Sequence, residues 1–426
     1  MGANPLDRNA LIRRYAAVRA QTLALAAPLS EADCQAQSMP DASPAKWHLA
    51  HVTWFFETFV LEAFEPGFRP YHPAYRVLFN SYYNGVGEQH PRPQRGLLTR
   101  PSLAEVKAWR AAVDERVLAL LDRAHTAELA ALVELGLQHE QQHQELLLTD
   151  VLHLFSCNPL APAYREGGAP LVGAATPLDW VFFDGGPAEI GHDGIDFAYD
   201  NEGPRHRQWL APHALASRLV TQGEWEAFIA DGGYLDPRWW LSAGWNWVRE
   251  RGILAPLYWR EHGNAWHAFT LRGLQPLEAA APVAHVSLYE ADAYARWLGA
   301  QQGLPLRLPT EAEWETAAAT RGAAAVGHFV DSGELRPRPA LPGGELQQLF
   351  GDTWEWTGSA YLPYPGFRAN PGAVGEYNGK FMMNQMVLRG GSCVSPRDHL
   401  RASYRNFFPP ETRWQFSGVR LARDPS

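Results

Sequence analysis

The sequence predicts an α+β chain, helical over its first 160 residues and β-rich with short helices over its second half. Three observations carry this reading. Four segments, roughly 7–27, 44–64, 102–123 and 127–155, repeat apolar residues with a period of 3.6. The composition then turns to Pro, Gly and Ala in NPLAPAYREGGAPLVGAATP, residues 158–177. Beyond that point the helical period weakens, and short apolar runs alternate with Gly, Pro and Asn turns. The expected organisation is a four-helix bundle over 1–160, a linker over 161–180 and a second domain over 181–426.

Each element has a local cause. Ser43 before Pro44 reads as an N-cap followed by an N1 proline, which opens the second helix. Ser102 with Glu105 three residues on reads as a capping box opening the third. Residues 65–100 join the second and third helices and are rich in Pro, Gly, Tyr and His. A connection of that length inside a compact domain is usually functional. In the second half, 221–231, 287–303 and 310–320 stand out as helical, the last opened by a Thr310/Glu313 capping box. The 17 Trp cluster in stretches such as PRWWLSAGWNW (237–247) and predict either aromatic packing in a loop-rich fold or an aromatic-walled pocket.

The totals exclude several functions. A net charge of −9 argues against a nucleic-acid groove. No apolar run reaches membrane-spanning length, and MGANPLDRNALIRRY lacks the apolar centre of a signal peptide. Cys34, Cys157 and Cys393 are odd in number and far apart, so no disulfide framework is implied. A cytoplasmic enzyme or binding protein is expected.

The fourth helix contains His139-Glu140-Gln141-Gln142-His143, which matches the zinc-protease pattern H-E-x-x-H. Residues four apart share a helix face, so His139 and His143 are neighbours. Leu132, Leu135, Gln142 and Leu146 fall on that face, which is therefore expected to point into the bundle. Two buried imidazoles need satisfying, either by backbone and water or by a metal. The second helix adds His51 within the stripe Trp47, Ala50, His51, Trp54, Phe55 and Thr58, with His48 nearer its edge as a structural or supporting residue. Antiparallel helices can bring His51 opposite the pair, and three neutral imidazoles leave positions open on a metal. A zinc peptidase fits poorly. The next acidic residue beyond the helix is Glu166, in the linker, and the helix is embedded in a bundle rather than lying under a strand edge.

SPAKWHLAH and HEQQHQELLLTDVLH resemble the DinB-like four-helix bundle of the iron-dependent sulfoxide synthases of ergothioneine biosynthesis, the EgtB type. The second half resembles the formylglycine-generating-enzyme-like domain, a variant of the C-type lectin fold. The likeness runs through NEGPRHRQWLAPHALASRLVTQGEWEAFI, LRLPTEAEWETAA, GDTWEWTGSAYLPYPGF, VLRGGSCV and FSGVRLARD. The resemblance implies Fe(II) bound by His51, His139 and His143. It implies that dioxygen is used to join a sulfur nucleophile to the imidazole C2 of hercynine, with oxidation at sulfur. It places Gln142 against the hercynine imidazole and Asn406 near the betaine carboxylate, with Phe407 and Trp414 facing the trimethylammonium group. Phe408 stands where members using γ-glutamylcysteine carry Asp, so the donor implied is free cysteine. In that branch NSYY supplies tyrosines near the iron, here Tyr82 and Tyr83. Arg92 and Arg95 either hold a donor carboxylate or pin the loop by salt bridges. The substrate is expected where the two halves meet.

The formylglycine-generating activity is not expected, because it uses paired cysteines and only Cys393 lies in the relevant region. Three rivals remain. A selenoneine synthase would join a selenosugar such as selenoglucose to hercynine at the same iron site. A zinc DinB-type thiol transferase would work without oxygen, and a lectin-like binder would be indifferent to chelators.

Overall fold

The computed structural model describes residues 7–124, 126–167, 175–194, 196–320, 326–343 and 345–425, so part of the expected 161–180 linker lies outside the described residues. The chain divides into two compact units. The first comprises Met1–Tyr164, Gly194–Phe197 and Asn370–Tyr377; the second comprises Arg165–Asp193, Ala198–Ala369 and Asn378–Ser426.

Four principal helices frame the first unit: α1 (Arg8–Ala26), α2 (Ala45–Phe55), α3 (Leu103–Arg123) and α4 (Ala127–Ser156). Asp7 caps α1, the Ser102/Glu105 box caps α3, and Thr126 caps α4. The cap expected at Ser43 is absent. Pro44 is extended (ψ 144°), so α2 starts one residue later without a side-chain cap. Ser43 is used elsewhere: its N–H donates to Asp150 and its hydroxyl accepts from Arg95. After Phe55 the helix widens into a π-turn, Phe56–Leu61, before a last α-turn at Glu62–Phe64. Leu11, Tyr15, Trp54, Phe56, Val113 and Leu137 fill the interior. The long loop is tied back where Lys46 Nζ donates to the Leu98 carbonyl at 2.7 Å.

The second unit is built on small antiparallel sheets. Trp180–Phe183, His213–Ala216, Ala422–Arg423 and Leu306–Arg307 form one in that order. Asn406–Phe408, Met386–Arg389 and Trp354–Ala360 form another, closed by Ser417–Gly418 in parallel. A third is the meander Trp259–His262, Ala265–Thr270, Gly273–Pro276. Helices α5 (Gln222–Ala230), α6 (Leu288–Gln302) and α7 (Glu311–Ala319) each open with a capping box, at Thr221/Glu224, Ser287/Glu290 and Thr310/Glu313. Part of the tryptophan density is packing: Trp225, Trp314, Trp354 and Trp356 are fully buried in one core. Among the described residues no helix is long and apolar enough to cross a membrane.

Candidate metal centre

Spacing of four residues on α4 and the packing of α2 against it bring three imidazoles together. His139 and His143 lie one turn apart on α4, with ring centroids 4.6 Å apart. His51 on α2 faces both, at 4.9 Å from His139 and 4.8 Å from His143. One nitrogen from each ring lies within 4.8 Å of the others, and the group contains no carboxylate or thiol. Burial, reinforced by the neighbouring rings, holds His51 and His143 well below the ordinary imidazole range, and burial lowers His139 to about 4. All three imidazoles are therefore neutral at physiological pH. His51 Nδ1–H donates to the Phe79 carbonyl at 2.6 Å, leaving the lone pair on Nε2. His139 Nδ1 is buried and has no hydrogen-bond partner among the described residues. Three crowded neutral imidazoles, one with a buried unpartnered nitrogen, fit a transition-metal ion of the iron or zinc kind.

The face carrying this group is less deeply buried than its sequence suggests. Leu132, Leu135, Gln142, His143 and Leu146 are half-buried, whereas Val133, Leu137, Glu140, Gln144 and Leu148 fill the interior. Glu140 therefore points away from the imidazoles. Its carboxylate accepts from Arg19 Nη1 at 2.9 Å, from Thr22 Oγ1 at 2.6 Å and from Arg110 Nη2. Burial works against its charge, but the two guanidinium groups outweigh it and lower its pKa. A carboxylate locked in this way is not the general base beside a metal-bound water that a zinc peptidase requires.

Aromatic rings wall the group. Trp47, one turn before His51, stacks on it at 4.5 Å, and Trp54, one turn after, lies near-parallel at 5.5 Å. Phe55 tilts over His139 at 4.9 Å. The Arg95 guanidinium sits 3.4 Å from the centroid of Trp47 and donates to Ser43 Oγ and Ser81 Oγ, both at 2.9 Å. Burial lowers its pKa to about 9. Arg92 donates to the Tyr82 hydroxyl at 3.0 Å and to the Asp41 carbonyl. Among the described residues neither Arg92 nor Arg95 has an ion-pair partner, and the Nε of each is buried without a hydrogen bond. The loop-pinning salt bridges expected as one alternative are thus not formed among those residues.

Tyr82 and Tyr83 have different surroundings. Tyr83 is buried against Trp54 and Phe59, which pushes its phenol pKa up. Tyr82 lies 5.8 Å from the ring of Tyr377, in the 370–377 segment that joins this unit. Glu376 in that segment accepts from the backbone N–H groups of Asn84 and Gly85, at 3.1 and 2.7 Å. Sequence reasoning missed Tyr377, because nothing in GEYNGKFM marks it and its neighbour Tyr82 is 295 positions away. In the second unit, the Asn406 side-chain oxygen accepts from Phe407 N at 2.9 Å. Phe407 stacks on Tyr361 at 4.0 Å, and Trp414 lies edge-on to Phe408 at 6.5 Å.

The DinB superfamily model matches residues 14–147, and the sulfatase-modifying factor enzyme 1-like domain matches 172–339 and 342–425. The chain is 35% identical to the hercynine oxygenase of Mycolicibacterium thermoresistibile, over 98% of this chain and 95% of that one. It belongs to the hercynine oxygenase family. The hercynine oxygenase of Mycolicibacterium smegmatis is 33% identical over 98% of this chain and all of its own. A formylglycine-generating enzyme of Thermomonospora curvata is 26% identical, spanning 58% of this chain and 93% of its own. Unlike a paired-cysteine site, this hercynine oxygenase family member has three free cysteines, of which Cys34 and Cys393 are buried and Cys157 is exposed.

Proposed function

We propose that the chain is a non-haem Fe(II)- and O2-dependent enzyme of ergothioneine biosynthesis that joins cysteine sulfur to the imidazole C2 of hercynine as a sulfoxide. The observation that carries this reading is the all-imidazole group of His51, His139 and His143, neutral and with no carboxylate among its candidate ligand atoms. Ferrous iron held there would supply a redox-active centre able to use dioxygen. The reaction balances without an added reductant. One C2–H, one thiol and one O2 give a carbon–sulfur bond, one sulfoxide oxygen and one water.

The chain's own residues supply binding and proton handling. Arg95 is buried and Arg92 half-buried, each has a buried Nε–H without a hydrogen bond, and a donor carboxylate satisfies both. That requirement favours an amino-acid donor over the selenosugar of a selenoneine synthase. Tyr82 and Tyr83 are the proton donors of this proposal; burial raises the Tyr83 pKa and so keeps its phenol protonated at neutral pH. Gln142 holds the hercynine imidazole by an amide hydrogen bond. Asn406 meets the betaine carboxylate, and Phe407 and Trp414 meet the trimethylammonium group. Three free cysteines suit a cytoplasmic location.

The test is to load Fe(II) anaerobically, add hercynine with either cysteine or selenoglucose, admit air, and follow products by mass spectrometry. The expected product is the cysteine adduct carrying one added oxygen, formed only after air enters. A selenium adduct formed in preference to it reassigns the donor. Turnover without oxygen, or in excess chelator, overturns the proposal.

A further inference from the structure

One ligand of the triad is held by groups that the proposed reaction does not use. His48, one turn before His51 on α2, is almost fully buried. Its Nδ1 lies 2.8 Å from Nδ1 of His143, and its Nε2 lies 2.9 Å from Asp150 Oδ2. Asp150 is itself buried and sits two turns after His143 on the same side of α4. The same Oδ2 accepts the Ser43 N–H at 2.8 Å.

We propose that Asp150 and His48 are positioning residues, a carboxylate–imidazole–imidazole chain that decides which nitrogen of His143 carries the metal-binding lone pair. The carboxylate fixes the direction of the first hydrogen bond, and a neutral His48 ring fixes that of the second. A carboxylate only accepts, so His48 carries its proton on Nε2. The neutral ring then has a bare Nδ1, which accepts from His143 Nδ1–H. That leaves the His143 lone pair on Nε2. His51 reaches the same tautomer through the Phe79 carbonyl. Two ligands on two helices are thus oriented by acceptors on their far side, and the chain also fastens α2 to α4 across the site. The competing explanation is that these contacts merely satisfy buried polar groups, which predicts an effect on folding and none on metal binding.

The inference rests on the reading of the triad as a metal site, and one experiment separates the two. The full chain is titrated with Co(II), and its solvent-exchangeable, hyperfine-shifted N–H resonances are recorded by NMR. Three variants are compared: His48→Phe, Asp150→Leu and Asp150→Asn. His48→Phe and Asp150→Leu are expected to weaken Co(II) binding by roughly 10–100-fold and to remove or shift the exchangeable resonance of His143. Asp150→Asn is the internal control. The Ser43 N–H can only donate, so it keeps the amide oxygen where Oδ2 was, His48 keeps its acceptor, and the loss stays below about 10-fold. Should His48→Phe fail to fold, the Asp150→Leu and Asp150→Asn pair reads the same difference. Wild-type affinity and spectrum in folded His48→Phe or Asp150→Leu overturn the inference. Absence of Co(II) binding by the wild type overturns the metal reading instead.

Discussion

The two faces of α4 solve opposite electrostatic problems within five residues. On one, His139 and His143 are kept neutral, gather beside His51, and leave His139 Nδ1 without a hydrogen-bond partner among the described residues. On the other, Glu140 is kept charged by Arg19 and Arg110 and is fully satisfied by them and Thr22. The motif H-E-x-x-H reads as one unit in sequence, yet adjacent helical residues are 100° apart. The glutamate belongs to the cement between α1, α3 and α4, and the histidines to the candidate metal site. A pattern match fixes residue types; the packing around each decides its role.

The largest effect follows from breaking the structural face. Glu140→Gln leaves two guanidinium groups buried beside a neutral amide. It is expected to cost about 3–5 kcal/mol of unfolding free energy. Urea denaturation measures that loss, while metal affinity per folded molecule stays near wild type. A zinc-peptidase role for Glu140 predicts the reverse, namely normal stability with lost turnover.

The faces also separate along the pH axis. In metal-free protein His139 stays neutral in the fold down to about pH 4, whereas an unfolded imidazole protonates near about 6.5. Between those values the unfolded chain binds more protons, so stability falls as pH drops through that window. Glu140, whose pKa is lowered in the fold, contributes stability that is present above the unfolded carboxyl value of about 4.3. That contribution is lost only at lower pH. His139→Ala is therefore expected to flatten the upper limb by on the order of 2–3 kcal/mol and to spare the lower one. Chemical denaturation at pH 7 and pH 4.5 in chelator checks it, and an unchanged upper limb places the acid sensitivity elsewhere.

The residues differ in how much they disclose alone. Periodicity marks α1, α3 and α4, and the whole helical run 45–64 that α2 opens, to within a residue or two. The capping boxes at Ser102 and Thr310 are visible because both partners lie three residues apart. Spacing also makes His139 and His143 neighbours. What stays hidden is non-local. The Arg19–Glu140 contact joins residues 121 apart, and His48–Asp150 residues 102 apart. Such partners depend on how helices dock, which no window of sequence contains. The Ser43 cap misleads because a local rule competes with a distant one, and Asp150 and Arg95 take its polar groups.

The smallest effect tests how tightly the metal face is built. Gly136 lies one turn before His139 on α4, against the start of the π-turn. A Cβ there would stand 2.6 Å from Cε1 of Phe56 and 3.0 Å from Cε1 of Phe55, the ring that tilts over His139. Two terms oppose each other in Gly136→Ala. Helix propensity favours alanine by about 1 kcal/mol. Overpacking against two aromatic rings costs about 1–3 kcal/mol, because neither ring is the loose end of a flexible chain. The net expectation is a loss of about 1 kcal/mol. The sharper readout is the metal. If Phe55 is displaced, His139 loses its backing, and affinity falls more than the small change in stability accounts for. Equal affinity in a stabilised Gly136→Ala would mean that the glycine serves only helix approach and that the wall behind His139 yields without consequence.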